Sequence, residues 1–227
     1  MLTKKCQIGI IVMIGTLAGV CLSVAMVTPG WLRLNVLSNS GATLVTISTG
    51  LWHIVLCYQD LPCRNIYLST IVHRNRTKLT GNLGYINYDS LLANHPELET
   101  LTVTSVMFSV AGLILSLISV LRKRNEKSLS VGIMCTYSLA GVLSTTTMFT
   151  GIALSVHMDS SKNVTAMLPY SVVLSGVGAI FAFLVTLATC LDVYRVARSL
   201  LAESQYKLLV NLSDSDANDR EPSNEVL

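Results

Sequence analysis

Charge is what this 227-residue sequence has least of. Asp, Glu, Lys and Arg together make up 13% of it, against 51% hydrophobic residues, where soluble domains carry about 25% charged residues. That is too little polar side chain to cover a soluble globule. The deficit is also concentrated: residues 6–32, 100–121, 128–157 and 163–191 contain no Asp, Glu, Lys or Arg. Each stretch holds at least about 20 mainly apolar residues, enough for an α-helix to cross a hydrocarbon core of about 30 Å. The expectation is four membrane helices near 8–27, 101–121, 131–156 and 168–191. The lack of acidic and basic residues inside the spans argues against ion- or proton-coupled transport, which relies on such groups. The first apolar run follows Lys4 and Lys5 as a signal peptide would, but its core is longer than the usual length of about 7–15 residues and no A-x-A-like site closes it.

Catalytic constellations are also missing. His53, His73, His95 and His157 are scattered, with no nucleophile–base arrangement, so neither an enzyme nor a cofactor is expected. The formal net charge of +3 calls for no nucleic-acid partner, because the basic residues collect at membrane edges. Lys4 and Lys5 precede the first span, Arg122, Lys123, Arg124 and Lys127 fill the turn after the second, and Arg195 and Arg198 follow the fourth. By the excess of basic residues on the cytoplasmic side, both termini are cytoplasmic. A large loop (28–100) and a short one (157–167) then lie outside, and a tail from 196 to 227, polar and acidic toward its end, is expected to be disordered. Arg33, Glu97 and Glu99 stand on the outer side. Of three sequons, Asn75 and Asn163 fall in the outer loops and Asn211 in the tail, so Asn75 and Asn163 are the glycosylation candidates.

The large loop contains more than a linker would. Turn formers at Ser38-Asn39-Ser40-Gly41 precede Ala42–Ser48, where Val45 and Ile47 alternate with Thr46 and Ser48 as in a strand with one buried face. The stretch GLWHIVLCYQDLPC, from Gly50 to Cys63, is strand-like again over Leu51–Leu56 and reverses at Tyr58–Pro62. Cys57 and Cys63 flank that reversal. Cys21 and Cys135 lie in spans and Cys6 and Cys190 at cytoplasmic edges, leaving Cys57 and Cys63 as the exterior pair. Paired strand positions bring α-carbons within disulfide range, and the outside is oxidising. The alternative is two free or metal-binding thiols, although no histidine stands at ligand spacing beside them. Trp31 and Trp52 read as anchors at the base of the sheet, or as ordinary tryptophans of the membrane boundary.

Four spans, a Trp soon after the first, then Gly50-Leu51-Trp52 and two cysteines in the first loop resemble the claudin superfamily. That superfamily comprises claudins, peripheral-myelin and epithelial membrane proteins, and calcium-channel γ subunits. The segment Tyr88-Asp89-Ser90-Leu91-Leu92 is similar to the claudin segment that opens the second helix, with Asp89 placed to cap it. Gly132 and Ala140-Gly141 match the superfamily's small-residue pattern in the third helix. The resemblance covers residues 1–195. It implies an all-α membrane fold, a left-handed four-transmembrane bundle carrying a small extracellular antiparallel β-sheet. It also implies a plasma-membrane protein of cell–cell junctions that forms homo- or hetero-oligomers with claudin-like proteins in cis and in trans, sealing or selectively opening the paracellular space. The chain is read as a divergent member. Cys57 stands five residues after Trp52 rather than three, and Cys63 is far upstream of Tyr88, with Arg64, Arg74, Arg76 and Lys78 between them. The arginine usual early in the second helix is replaced by the neighbourhood of Thr102 and Thr104, and the second outer loop is short.

The remaining motifs carry paired readings. The basic insertion would make a pore disfavour cations, or is a solvated loop. Gly15-Thr16-Leu17-Ala18-Gly19 lets a neighbouring helix approach closely, within the bundle or in a dimer. Thr145, Thr146 and Thr147 are placed to return hydroxyl bonds to the preceding turn. Glu225-Val226-Leu227 resembles a ligand for a PDZ scaffold. Cys190, at the inner edge, is a palmitoylation candidate or a plain membrane cysteine. Besides membrane lipid and junctional partners, the resemblance also admits an auxiliary subunit of a channel or receptor.

Overall fold

The computed structural model describes residues 4–38, 41–59, 61–67, 95–121, 127–159, 164–167 and 169–218. Along the chain these form α1 (Lys4–Val27), β1 (Leu32–Leu37), β2 (Thr43–Thr49), β3 (His53–Tyr58), β4 (Arg64–Tyr67), α2 (His95–Leu121), α3 (Lys127–Asp159), β5 (Val164–Met167) and α4 (Tyr170–Asn218). Four helical stretches, Ile8–Val27, Pro96–Leu121, Ser128–Val156 and Tyr170–Gln205, are long and apolar enough to cross a membrane. They close into a ring: α1 packs on α2 and α4, and α3 packs on the same two.

The side chains inside the ring are small or hydroxylic. On α2 the buried positions are Leu98, Thr102, Ser105, Ser109, Gly112 and Ser116; on α4 they include Ser171, Ser175, Gly178, Ala182, Val185 and Thr189. Both series alternate steps of four and three, so each helix turns one continuous stripe into the ring. Bulky side chains point the other way: Met13, Leu17, Val20 and Val24 on α1 and Met107, Val110, Ile114 and Leu117 on α2 are exposed. This is the reverse of a water-soluble bundle. In lipid, association depends on close packing and hydrogen bonds between helices rather than on apolar burial, so small and hydroxyl residues occupy the seam. The arrangement is that of a membrane protein.

Hydroxyls join the helices. Ser105 Oγ donates to the Ala140 carbonyl across α2–α3 at 2.9 Å. Ser144 Oγ donates to the Ser175 carbonyl across α3–α4 at 2.9 Å. The hydroxyls of Thr28 and Ser171 lie 2.7 Å apart, tying the exit of α1 to the entry of α4. Thr145, Thr146 and Thr147 donate to the carbonyls of Gly141, Val142 and Leu143, as their spacing predicts. The Gly15/Gly19 motif is used inside the bundle. A Cβ at Gly15 would collide with the hydroxyl end of Tyr137, and one at Gly19 would lie 3.6 Å from Ser109 Oγ. Tyr137 is fully buried, its hydroxyl beside Ser116, which itself donates to the Gly112 carbonyl.

The strands form one antiparallel five-stranded sheet in the order β4-β3-β2-β1-β5. Leu32, Leu34 and Val36 of β1, Val45 and Ile47 of β2, and Ile54 and Leu56 of β3 make one buried face, against which Leu154 of α3 packs. The expected alternation of β2 is therefore observed. On either side of the expected turn, Ser38 N–H donates to Ala42 O at 2.7 Å and Gly41 N–H to Ser38 O at 2.8 Å. Gly41 has φ +82° there, in the left-handed region that glycine reaches without a Cβ clash.

Two boundaries differ from the sequence reading. The segment expected to be a short loop supplies strand β5, whose Ala166 pairs with Leu34, so Val164–Met167 belong to the sheet. Helix α4 continues to Asn218, past the expected end of the span at 191 and through much of the tail expected to be disordered from 196. The reason is local. No Gly or Pro occurs from Ala179 to Glu221, so nothing in that stretch breaks a helix once the span has nucleated it. Hydropathy marks where a span leaves lipid, and the helix need not stop there.

Candidate functional site: the stapled sheet and its seat on the bundle

The candidate site is the β-sheet together with the joint that fixes it to the helix ends. Chain direction at the exit of α1 is set by Trp31. Its indole Nε1 donates to the Ala25 carbonyl at 2.8 Å, one of the carbonyls that the end of a helix leaves without an intrahelical partner. Its backbone N–H donates to Thr49 O at 3.0 Å, joining the start of β1 to the end of β2. Trp31 is 2% exposed and packs with Ala25, Leu51, Leu98 and Val172, so parts of α1, the β2–β3 turn, α2 and α4 meet in one apolar plug. A half-hydrated boundary tryptophan is not what the structure places at position 31. Trp52 fits that description better, at 38% exposed.

The Gly50-Leu51-Trp52 motif forms the tight β2–β3 turn. Gly50 N–H donates to His53 O at 2.8 Å, and a Cβ at position 50 would lie 3.1 Å from Pro29 Cα. Leu51 then drops into the plug and Trp52 faces outward. At the opposite end of the sheet, Cys57 and Cys63 are disulfide-bonded, with α-carbons 4.1 Å apart. They sit one step beyond the Leu56/Arg64 pair of β3 and β4, as the hairpin reading requires. The plug and the staple therefore hold the sheet at its two ends.

The sheet's other face is polar. Thr46 Oγ1 donates to Asn35 Oδ1 at 3.0 Å, and the Asn35 amide approaches Met167 Sδ at 3.3 Å, linking β2, β1 and β5. Arg33 lies beside Ser48 and Met167 in register on this face, whereas Arg64, exposed on the edge strand β4, pairs with Leu56 and so stands at the rim of the opposite face. Among the described residues, no three His, Cys, Asp or Glu side chains converge as a metal site. Chemically, the face offers hydrogen bonds, cations and backbone edges for contact with another surface.

Several sequence-predicted residues lie outside the described residues: Asn75 and Asn163, the Tyr88–Leu92 segment with Asp89, the basic residues Arg74, Arg76 and Lys78, and Glu225-Val226-Leu227. Cys190 is described, on α4, exposed and unpaired. In α3, Ala140 is fully buried, and Cβ atoms at Gly132 and Gly141 would touch Leu115 and Phe183, so all three serve helix contact. In place of the usual arginine, Thr102 is buried and returns its hydroxyl to the Leu98 carbonyl. Tyr137 escaped the sequence reading, although a lone tyrosine inside an apolar span, one turn from a glycine, was a visible signal. No protein-family model matches this chain, and no curated protein does.

Proposed function

We propose that the protein is a claudin-like component of cell–cell junctions at the plasma membrane. It associates side by side in one membrane and head to head between cells, in homo- or hetero-oligomers with claudin-like proteins, and seals or selectively opens the paracellular space. Its termini are cytoplasmic and its sheet is extracellular. The observation that carries this reading is the disulfide-stapled antiparallel sheet seated on a four-helix bundle through Trp31 and the Gly50-Leu51-Trp52 turn. A bonded cysteine pair belongs on the oxidising side of a membrane, which agrees with the distribution of basic residues. The polar face of such a sheet is suited to lining a path for ions, where Arg33 would disfavour cations.

One observation favours a second reading, that of an auxiliary subunit modulating a channel or receptor. Part of the short second outer loop, Val164–Met167, is paired into the sheet as β5, so that part does not project toward an opposite cell. Expression in cells that lack tight junctions separates the two. Continuous strands at cell contacts are the expected result. Diffuse surface staining, with co-purification of a channel or receptor, would replace the junctional reading with the auxiliary one.

A further inference from the structure

Arg33 is a basic residue that the membrane topology leaves unexplained, because it stands close to the end of a span on the side where few basic residues adjoin the membrane. It is half-buried on β1, its Nε is closed off without an acceptor, and among the described residues no acidic side chain pairs with it. A partly desolvated guanidinium without an anion is costly, so the structure calls for one.

The position of Arg33 indicates which anion. The 20-residue span Ile8–Val27 gives about 30 Å of helix, the thickness of the hydrocarbon core, so the apolar boundary falls near Val27. The Trp31–Ala25 hydrogen bond folds the chain back to that level. Arg33 follows two strand residues later, about 7 Å on, within a headgroup layer that adds about 5–7 Å per leaflet. Aromatic side chains mark the same level. Leu51 and Val172 pack with Trp31; beside them Trp52 and Tyr170 are exposed, and Tyr67, also exposed, meets the His53 ring at 6.3 Å. Exposed Trp and Tyr next to lipid-facing stripes occupy the bilayer interface.

We propose that Arg33 binds the phosphate of a phospholipid in the leaflet on the sheet side, seating the base of the sheet among the headgroups. The guanidinium fork matches two phosphate oxygens, and Ser48, its register partner on β2, supplies a hydroxyl donor beside it. Trp52, Tyr67 and Tyr170 hold this level against the acyl boundary. The lipid is thus a positional ligand that fixes how far the sheet stands from the membrane.

The test uses the full chain, purified in mild detergent and titrated with phosphatidylglycerol, with inorganic phosphate as a separate arm. Wild-type protein should bind the lipid about tenfold more tightly than Arg33→Gln, as expected for loss of one charge-assisted contact. Arg33→Lys should fall between them, and inorganic phosphate at the same concentration should not register. Equal binding by Arg33→Gln overturns the proposal, and so does binding of inorganic phosphate matching that of lipid, which would make the site one for a soluble anion. If Arg33→Gln fails to form the Cys57–Cys63 bond, the decisive measurement is quenching in nanodiscs of brominated lipid, as wild type minus Trp52→Phe. Stronger quenching of Trp52 by bromines near the headgroups than by deep ones is expected. No bromolipid quenching, with free access to aqueous acrylamide, overturns the proposal.

Discussion

Gly15 and Tyr137 show what a single position does in this protein. Tyr137 fits because α1 at Gly15 and α2 at Gly112 present hydrogen where every other residue has a Cβ. Gly15→Val should therefore force α1 away from α3 and cost about 1–3 kcal/mol, the range for overpacking a tight contact. Gly9→Val should cost far less, because a Cβ at Gly9 meets nothing within 4 Å. Thermal unfolding in detergent, followed by loss of the monodisperse species, measures both; equal melting temperatures for the two variants would contradict the packing assigned to Gly15. Trp31 acts through polarity as well as size. Trp31→Phe keeps an aromatic ring in the plug but leaves the Ala25 carbonyl with only the longer bond from Thr28 Oγ1, at 3.4 Å. The expected loss is about 0.5–1.5 kcal/mol for one hydrogen bond, read by the same assay.

Elements depend on their faces and seams. On β2, Ile47→Ala should cost about 2–5 kcal/mol, because Ile47 is 2% exposed in the sheet core and truncation there leaves a cavity. Leu44→Ala, on the same strand but exposed, should stay within about 0.5 kcal/mol. Comparable losses at the two positions would contradict the assigned faces. Ser144→Ala removes the α3–α4 hydrogen bond and should cost about 0.6–1.7 kcal/mol, the range measured between helices in lipid. The elements were unequally legible in the sequence. The spans followed from charge-free apolar length, and β2 from strict alternation across Val45 and Ile47. Strand β1 has the same alternation in Leu32-Arg33-Leu34-Asn35-Val36 and was readable, although its closeness to the end of the span hid it. Strand β4 was implied by the reversal at Tyr58–Pro62, whereas β5 has four residues and owes its conformation to β1, so local pattern could not show it. The end of α4 was missed because hydropathy reports the solvent, whereas the helix follows backbone propensity.

At the scale of the whole molecule, two solvents meet one chain. Below the Trp31 plug, bulky side chains face outward and hydroxyls inward; above it, the sheet hides Leu, Ile and Val on one face and shows Arg, Asn, Ser and Thr on the other. The disulfide was legible because only one cysteine pair lay outside the spans and their edges, and the joint was half legible, since the two tryptophans were noted but their different roles depend on tertiary contacts. Replacing Cys57 and Cys63 by Ser should cost about 2 kcal/mol, a modest amount because the loop they close is short. The sheet would remain seated through Trp31 but become easier to unfold, as hydrogen exchange across β3 and β4 would record. The account rests centrally on the bundle crossing the bilayer with the bonded pair on its outer side, and thiol labelling of intact cells tests this most directly. A membrane-impermeant maleimide should label Cys57 and Cys63 only after an impermeant reductant is added, while terminal epitopes stay hidden until the cells are permeabilised. Labelling of either cysteine without reductant, or only after permeabilisation, would contradict the account.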